Sequence, residues 1–136
     1  MHATAGSNSK SLLSVTGALE AATGLALLVM PSVVVELLLG SSPGTLSGVT
    51  VSRVAGVALF ALGVVCWLAR EDAASRAAKG LVAAMLLYNI AVAAVLAHAG
   101  LVSGLVGIGL WPGIVLHVSM AVWCIVFLRI QRGFDG

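Results

Sequence analysis

The chain has 136 residues, 60% of them hydrophobic and 9% charged, with a net charge of +2 and a mean hydropathy of +1.14. That balance excludes a soluble globular enzyme and a nucleic-acid-binding module, and leaves room for one membrane-embedded bundle with no separate soluble domain. Cys66 and Cys124 lie singly inside apolar segments with no C-x-x-C, which argues against thiol redox chemistry and reads as small buried core residues.

Four apolar segments reach spanning length, at about 11–30, 49–69, 80–99 and 111–128. A helix rising 1.5 Å per residue needs about 20 residues to cross the hydrocarbon. The predicted fold is all-α: an integral-membrane four-helix bundle within 11–132, with a mobile polar tail at 1–10 and a short tail at 133–136. The first apolar run is too long for a signal-peptide core and no A-x-A-like site ends it. Lys10, Arg70, Arg76, Lys79, Arg129 and Arg132 flank one side of the spans, whereas the connections 31–48 and 100–110 carry no Lys or Arg. The positive-inside rule therefore puts both termini in the cytoplasm, in a bacterial inner membrane. Arg53, just inside the opposite end of segment two, is the one basic residue that breaks the rule.

Segment one carries Glu20 about ten residues from either end, hence roughly 15 Å from each. A carboxyl at that depth belongs in a bundle interior or cavity and needs a partner. Thr16, Gly17, Glu20, Thr23 and Gly24 recur at helical spacing and are predicted to share one face. The glycines there admit a neighbouring helix, and the threonines bond beside the carboxyl. Pro31 breaks the run. The stretch Pro31–Leu39, containing Glu36, is too short to span and reads as an interfacial helix ended by Gly40 and a Ser-Ser-Pro-Gly loop.

Segment two runs Arg53, Gly56, Phe60, Gly63, Trp67 at three- and four-residue steps, a stripe of alternating small and bulky residues suited to close helix contact. The short connection 70–79 predicts an antiparallel hairpin of segments two and three. Segment three brings Tyr88 and Asn89 level with Glu20, where the asparagine amide needs pairing. His98 ends it, and the glycine-rich stretch 100–109 has no P-loop pattern and reads as a flexible linker. Segment four opens on Trp111-Pro112, an interfacial anchor with a helix-starting proline, and places His117 roughly 8 Å further in.

Each span thus contributes a polar group to the middle or outer half: Glu20, Arg53, Asn89 and His117. One pocket shared by all four would explain why Arg53 departs from the charge rule. Each has a plainer role as well. Glu20 and Asn89 serve as interhelical glue, Arg53 snorkels to headgroups, His117 bonds a backbone carbonyl, and Tyr88 packs in the core. In the pocket reading Glu20 is general acid, Asn89 orients it, and His117 is base or relay. Arg53 then holds the polar end of a lipophilic molecule at the outer rim, and Tyr88, Phe60 and Trp111 are its other binding residues. No metal and no cofactor are expected, because His98 and His117 have no third ligand at suitable spacing and no second histidine sits at matched depth for haem.

The glutamate of segment one, the run R-V-A-G-V-A-L-F-A-L-G-V-V-C-W-L-A-R at 53–70, Tyr88-Asn89 and the W-P-x-x-x-x-H of 111–117 together resemble small bacterial four-helix membrane proteins of the DoxX-like kind, over nearly the whole chain. The chain also looks similar to small membrane-bound terpene cyclases of actinobacteria. That resemblance implies cyclisation begun by protonating a prenyl chain, and carries over no catalytic residue. The small multidrug transporters share four helices and a carboxylate in the first, but their W-x-G-x-G features are missing from this sequence. Three readings follow: an enzyme acting on a membrane lipid or lipophilic small molecule, an accessory subunit of a larger membrane complex, and a proton-coupled transporter working as a homo-oligomer.

Overall fold

A computed structural model describes residues 2–73 and 75–133, with the side chains of 2–9 and 132 outside that description. Among the described residues the chain forms five α-helices: α1 (His2–Val29), α2 (Pro31–Leu39), α3 (Leu46–Ala69), α4 (Arg76–Leu101) and α5 (Leu110–Arg132). Four of them, all but α2, contain stretches long and apolar enough to cross a membrane, as in a multi-pass membrane protein. From His2 onward the backbone of α1 is helical in the stretch expected as a mobile tail. Of the expected C-terminal tail, 134–136 lie outside the described residues.

Local chemistry sets the helix ends. Thr45 caps α3 by accepting the Gly48 amide at 3.0 Å, and Ser75 caps α4 by accepting that of Ala78 at 3.1 Å. Pro31 supplies the first turn of α2, and Gly40 closes it with a φ of 77° while its amide bonds the Glu36 carbonyl. Two serine hydroxyls inside the spans turn back on their own helix: Ser52 donates to the Gly48 carbonyl and Ser119 to that of Val115, which removes their need for partners.

Glycine decides which helices meet. A Cβ added to Gly24 would sit 2.6 Å from the Gly56 carbonyl oxygen, and one on Gly63 would sit 2.7 Å from that of Gly17. The backbones of α1 and α3 therefore run antiparallel in direct contact, and α4 and α5 form the second close pair. This corrects the expected α3–α4 hairpin: those helices are joined by the 3-10 turn Arg70–Asp72, yet their backbones make few close approaches. The turn is tied back to α1, where Lys10 donates to Glu71 at 2.9 Å, and Arg70 both donates to Glu71 and stacks on Trp67 at 3.6 Å.

The tight core fills one half of the bundle, the half that carries Lys10. Leu12, Leu13, Cys66, Val82, Met85 and Cys124 are its most enclosed members. At the other end α2 lies across the helices and packs on the connection 102–109. The Gly109 amide donates to the Leu37 carbonyl at 2.8 Å, and Gly107 presses on the Leu38 backbone so closely that no side chain fits there. The glycine-rich connection, expected as a flexible linker, is thus held to α2 at Gly107 and Gly109, while Val102–Gly104, Val106 and Ile108 stay exposed.

Candidate functional site

On α1 two stripes lie side by side. Gly17 and Gly24 turn to α3, while Thr16, Glu20 and Thr23 turn about a quarter of a helix turn away, toward α4 and α5. The single face expected for all five residues is thus split, and the split frees the carboxyl from the glycine contact. Glu20 is 7% exposed. The Tyr88 hydroxyl donates to its Oε2 at 3.1 Å, so the partner of the acid comes from α4 and not from the neighbouring threonines. A carboxyl bonded in this way at Oε2 keeps Oε1 for its own proton or for another molecule.

Asn89 is 1% exposed and points to α5. Its Nδ2 donates to the Met85 carbonyl at 2.8 Å, one turn back on α4, which orients the amide with Oδ1 outward. That oxygen lies 2.9 Å from His117 Nδ1. An amide oxygen only accepts, so Nδ1 carries the hydrogen and Nε2 of a neutral ring holds the lone pair. Asn89 therefore positions the histidine, where the sequence pattern had assigned it to orient the acid. The His117 ring meets Tyr88 edge-on, with centroids 5.8 Å apart and planes at 76°, so the two bonded pairs form one assembly.

These groups face a cavity of about 60 Å³ bounded by Glu20, Tyr88, Asn89, His117 and Met120. Next to it, and sharing Thr23, Tyr88, Leu116 and His117, lies a partly open cleft of about 360 Å³. Its roof is α2, through Val34, Val35, Leu37 and Leu38, and its walls are apolar residues of all four long helices, among them Leu27, Leu59, Val92 and Leu96. Gly113 lies at the wall, where an added Cβ would find ordinary contacts at 3.4 Å with Leu38 and 3.5 Å with Leu96. Neither lining includes a Lys or Arg, and Glu20 is the one carboxylate in them.

The structure brings together Glu20, Tyr88, Asn89 and His117 and leaves three expected members outside. Arg53 is exposed on α3, Phe60 is 41% exposed, and Trp111 is 53% exposed, and none of them lines either cavity. The reason is helix rotation. The stripe Gly56–Phe60–Gly63 follows the α1 contact, where the Phe60 backbone abuts Gly24, and it is Leu59 that reaches the cleft. Spacing from the polar residues would have found part of the lining: Leu27 follows Glu20 by two turns, and Val92 and Leu96 follow Tyr88 by one and two. Nothing in the sequence marks Leu59.

Among the described residues no three His, Cys, Asp or Glu side chains gather as metal ligands. No family model, curated protein or solved structure matches the chain.

Proposed function

We propose that the chain spans a bacterial inner membrane with both termini cytoplasmic, and that it is an enzyme whose Glu20 acts as general acid on a double bond of a lipophilic, isoprenoid-like molecule. The orientation rests on Lys10, Arg70, Arg76, Lys79 and Arg129 flanking the spans on one side. One observation carries the activity: an acid held by a tyrosine hydroxyl and an imidazole of fixed tautomer border one small cavity beside a charge-free apolar cleft. Apolar walls with a few convergent polar groups suit a lipophilic ligand.

The chemistry is a proton cycle. Neutral Glu20 gives the proton on Oε1 to one carbon of the double bond; the O–H bond breaks as the C–H bond forms from the alkene electron pair. The cation left on the adjoining carbon is opposed by the new carboxylate, which Tyr88 steadies through a hydrogen bond that strengthens as the charge appears. A proton then leaves the next carbon for His117 Nε2, forming a new double bond and an imidazolium. Return of that proton to Glu20 through the cavity restores both groups. The net reaction is an isomerisation, or a cyclisation where a second double bond of the same chain captures the cation first.

The test is exchange in D2O. Purified protein in lipid nanodiscs is supplied with a prenyl lipid, and deuterium at carbon is read by mass spectrometry. Wild type should introduce deuterium or yield an isomer, and Glu20→Gln should reduce this by about 10²-fold or more, the usual share of general acid catalysis. The glutamine still accepts the Tyr88 hydrogen bond, so exchange that survives in that variant sinks the proposal.

A further inference from the structure

We infer that the face of α4 and α5 turned away from the cavities holds an anionic phospholipid at the end of the bundle that carries Lys10, with Arg76, Lys79 and Arg129 around its phosphate. Nothing in this site depends on the chemistry proposed for Glu20.

The bond between Asn89 and His117 fixes the register of α4 against α5. Counting from it, Lys79 and Arg76 lie ten and thirteen residues back along α4, and Arg129 lies twelve residues on along α5. At 1.5 Å per residue all three are about 15–20 Å from that bond, within about one helix turn of one another in height. Rotation follows in the same way. At about 100° per residue, Lys79 and Arg76 lie about 80° and 140° round α4 from Asn89, and Arg129 lies about 120° round α5 from His117. Tyr88, Leu116 and Met120, which line the cavities, lie on the opposite side of those two references. The basic residues therefore share one face of the α4–α5 pair, the face that looks away from α1. Arg76 and Arg129 are exposed on it and Lys79 is half-buried. Ile90, Val118 and Val122 continue the same face toward the middle of the spans, and they too are exposed.

Charge separates this face from the rest of that end. No Asp or Glu occurs from residue 76 to residue 132. Lys10 and Arg70, by contrast, both donate to Glu71. Among the described residues Asp72 is the remaining carboxylate at this end, one against three. The orientation rule accounts for the end of the bundle that basic residues occupy and has no bearing on the face they share. A phosphate at this height meets guanidinium groups that can each bond two of its oxygens, while its acyl chains lie along Ile90, Val118 and Val122. Phosphatidylglycerol brings an unopposed phosphate charge, whereas phosphatidylcholine brings its own cation.

The experiment titrates the full chain, in a nonionic detergent, with phosphatidylglycerol or phosphatidylcholine of identical acyl chains and reads bound lipid by native mass spectrometry. Phosphatidylglycerol should bind at about tenfold lower concentration or less. Arg76→Gln and Arg129→Gln should each weaken it about fivefold, the share of one basic residue at an anionic membrane surface, and leave phosphatidylcholine unchanged. Lys10→Gln, which removes the same charge where Glu71 matches it, should change binding by less than about twofold. A phosphatidylglycerol with a diazirine beside its phosphate should label residues next to Arg76 or Arg129. Equal affinity for the two lipids, or a loss on Lys10→Gln as large as on Arg129→Gln, overturns the site and leaves these charges to orientation alone. Displacement of the lipid by millimolar inorganic phosphate at constant ionic strength would make this a site for free phosphate and overturn the lipid as its occupant.

Discussion

Gly24→Ala should destabilise the bundle, whereas the same change at Gly80 should not. The added methyl at position 24 would lie 2.6 Å from the Gly56 carbonyl oxygen and closer still to the Phe60 amide nitrogen. That is about 0.9 Å inside ordinary contact distance, and the obstacle is backbone, which no rotamer change can remove. The α1–α3 pair must spread, at about 1–3 kcal/mol by the measure of overpacked cores. At Gly80 on α4 an added methyl meets nothing within 4 Å, so the helix gains the roughly 0.5–1 kcal/mol by which alanine exceeds glycine. Gly17→Ala, with its closest atoms at 3.0 Å, belongs between them. The assay is loss of far-UV circular dichroism as SDS mole fraction rises in mixed micelles, all variants in one host detergent. The order Gly80→Ala, wild type, Gly17→Ala, Gly24→Ala is expected from most to least stable. A Gly24→Ala protein as stable as Gly80→Ala would mean that α1 and α3 do not meet through their glycines, and the rotation that turns Glu20 to α4 would lose its cause.

Tyr88→Phe removes the hydrogen bond to Glu20 Oε2; at about 1.5–3 kcal/mol for a bond to a charged acceptor, deuterium exchange should slow about tenfold to a hundredfold with the fold intact. Asn89→Leu leaves the His117 Nδ1 hydrogen without its acceptor and should cost about 1–3 kcal/mol, while adding His117→Leu should recover much of it, so a double-mutant cycle in the SDS titration that returns no coupling would contradict the pair. Gly107→Ala would drive a methyl into the Leu38 backbone, so amide exchange of Gly109, whose hydrogen is held by the Leu37 carbonyl, should quicken well before that of α4. Unaltered protection at Gly109 would show that the connection does not depend on its contact with α2.

The spans, their order and the short helix after Pro31 were legible because length and apolarity carry that information. The depth of Glu20, Tyr88, Asn89 and His117 was legible as well, since a rise of 1.5 Å per residue converts position into height. Rotation was not. In a soluble helix the polar face marks the outside; in these helices lipid-facing and core-facing residues are both Val, Leu and Ala, as with exposed Val95 beside buried Leu96. Hence Gly24 and Glu20 looked like one stripe, Phe60 took the place that belongs to Leu59, and Arg53 was drawn into a pocket it does not line. Pairings across helices were hidden for the same reason. Adjacent Tyr88 and Asn89 serve different partners, and only coordinates reveal that the tyrosine goes to the acid and the amide to the histidine.

The most direct test of an acid reached through an apolar cleft is carbodiimide labelling of Glu20. A lipophilic carbodiimide such as dicyclohexylcarbodiimide modifies protonated carboxyls in apolar surroundings, and peptide mass spectrometry reads the adduct. Glu20 should react with it, should be protected by a prenyl lipid, and should resist a water-soluble carbodiimide that modifies exposed Glu36 and Glu71. A Glu20 that ignores the lipophilic reagent, or reacts equally with both, would contradict the cleft as the route to the acid.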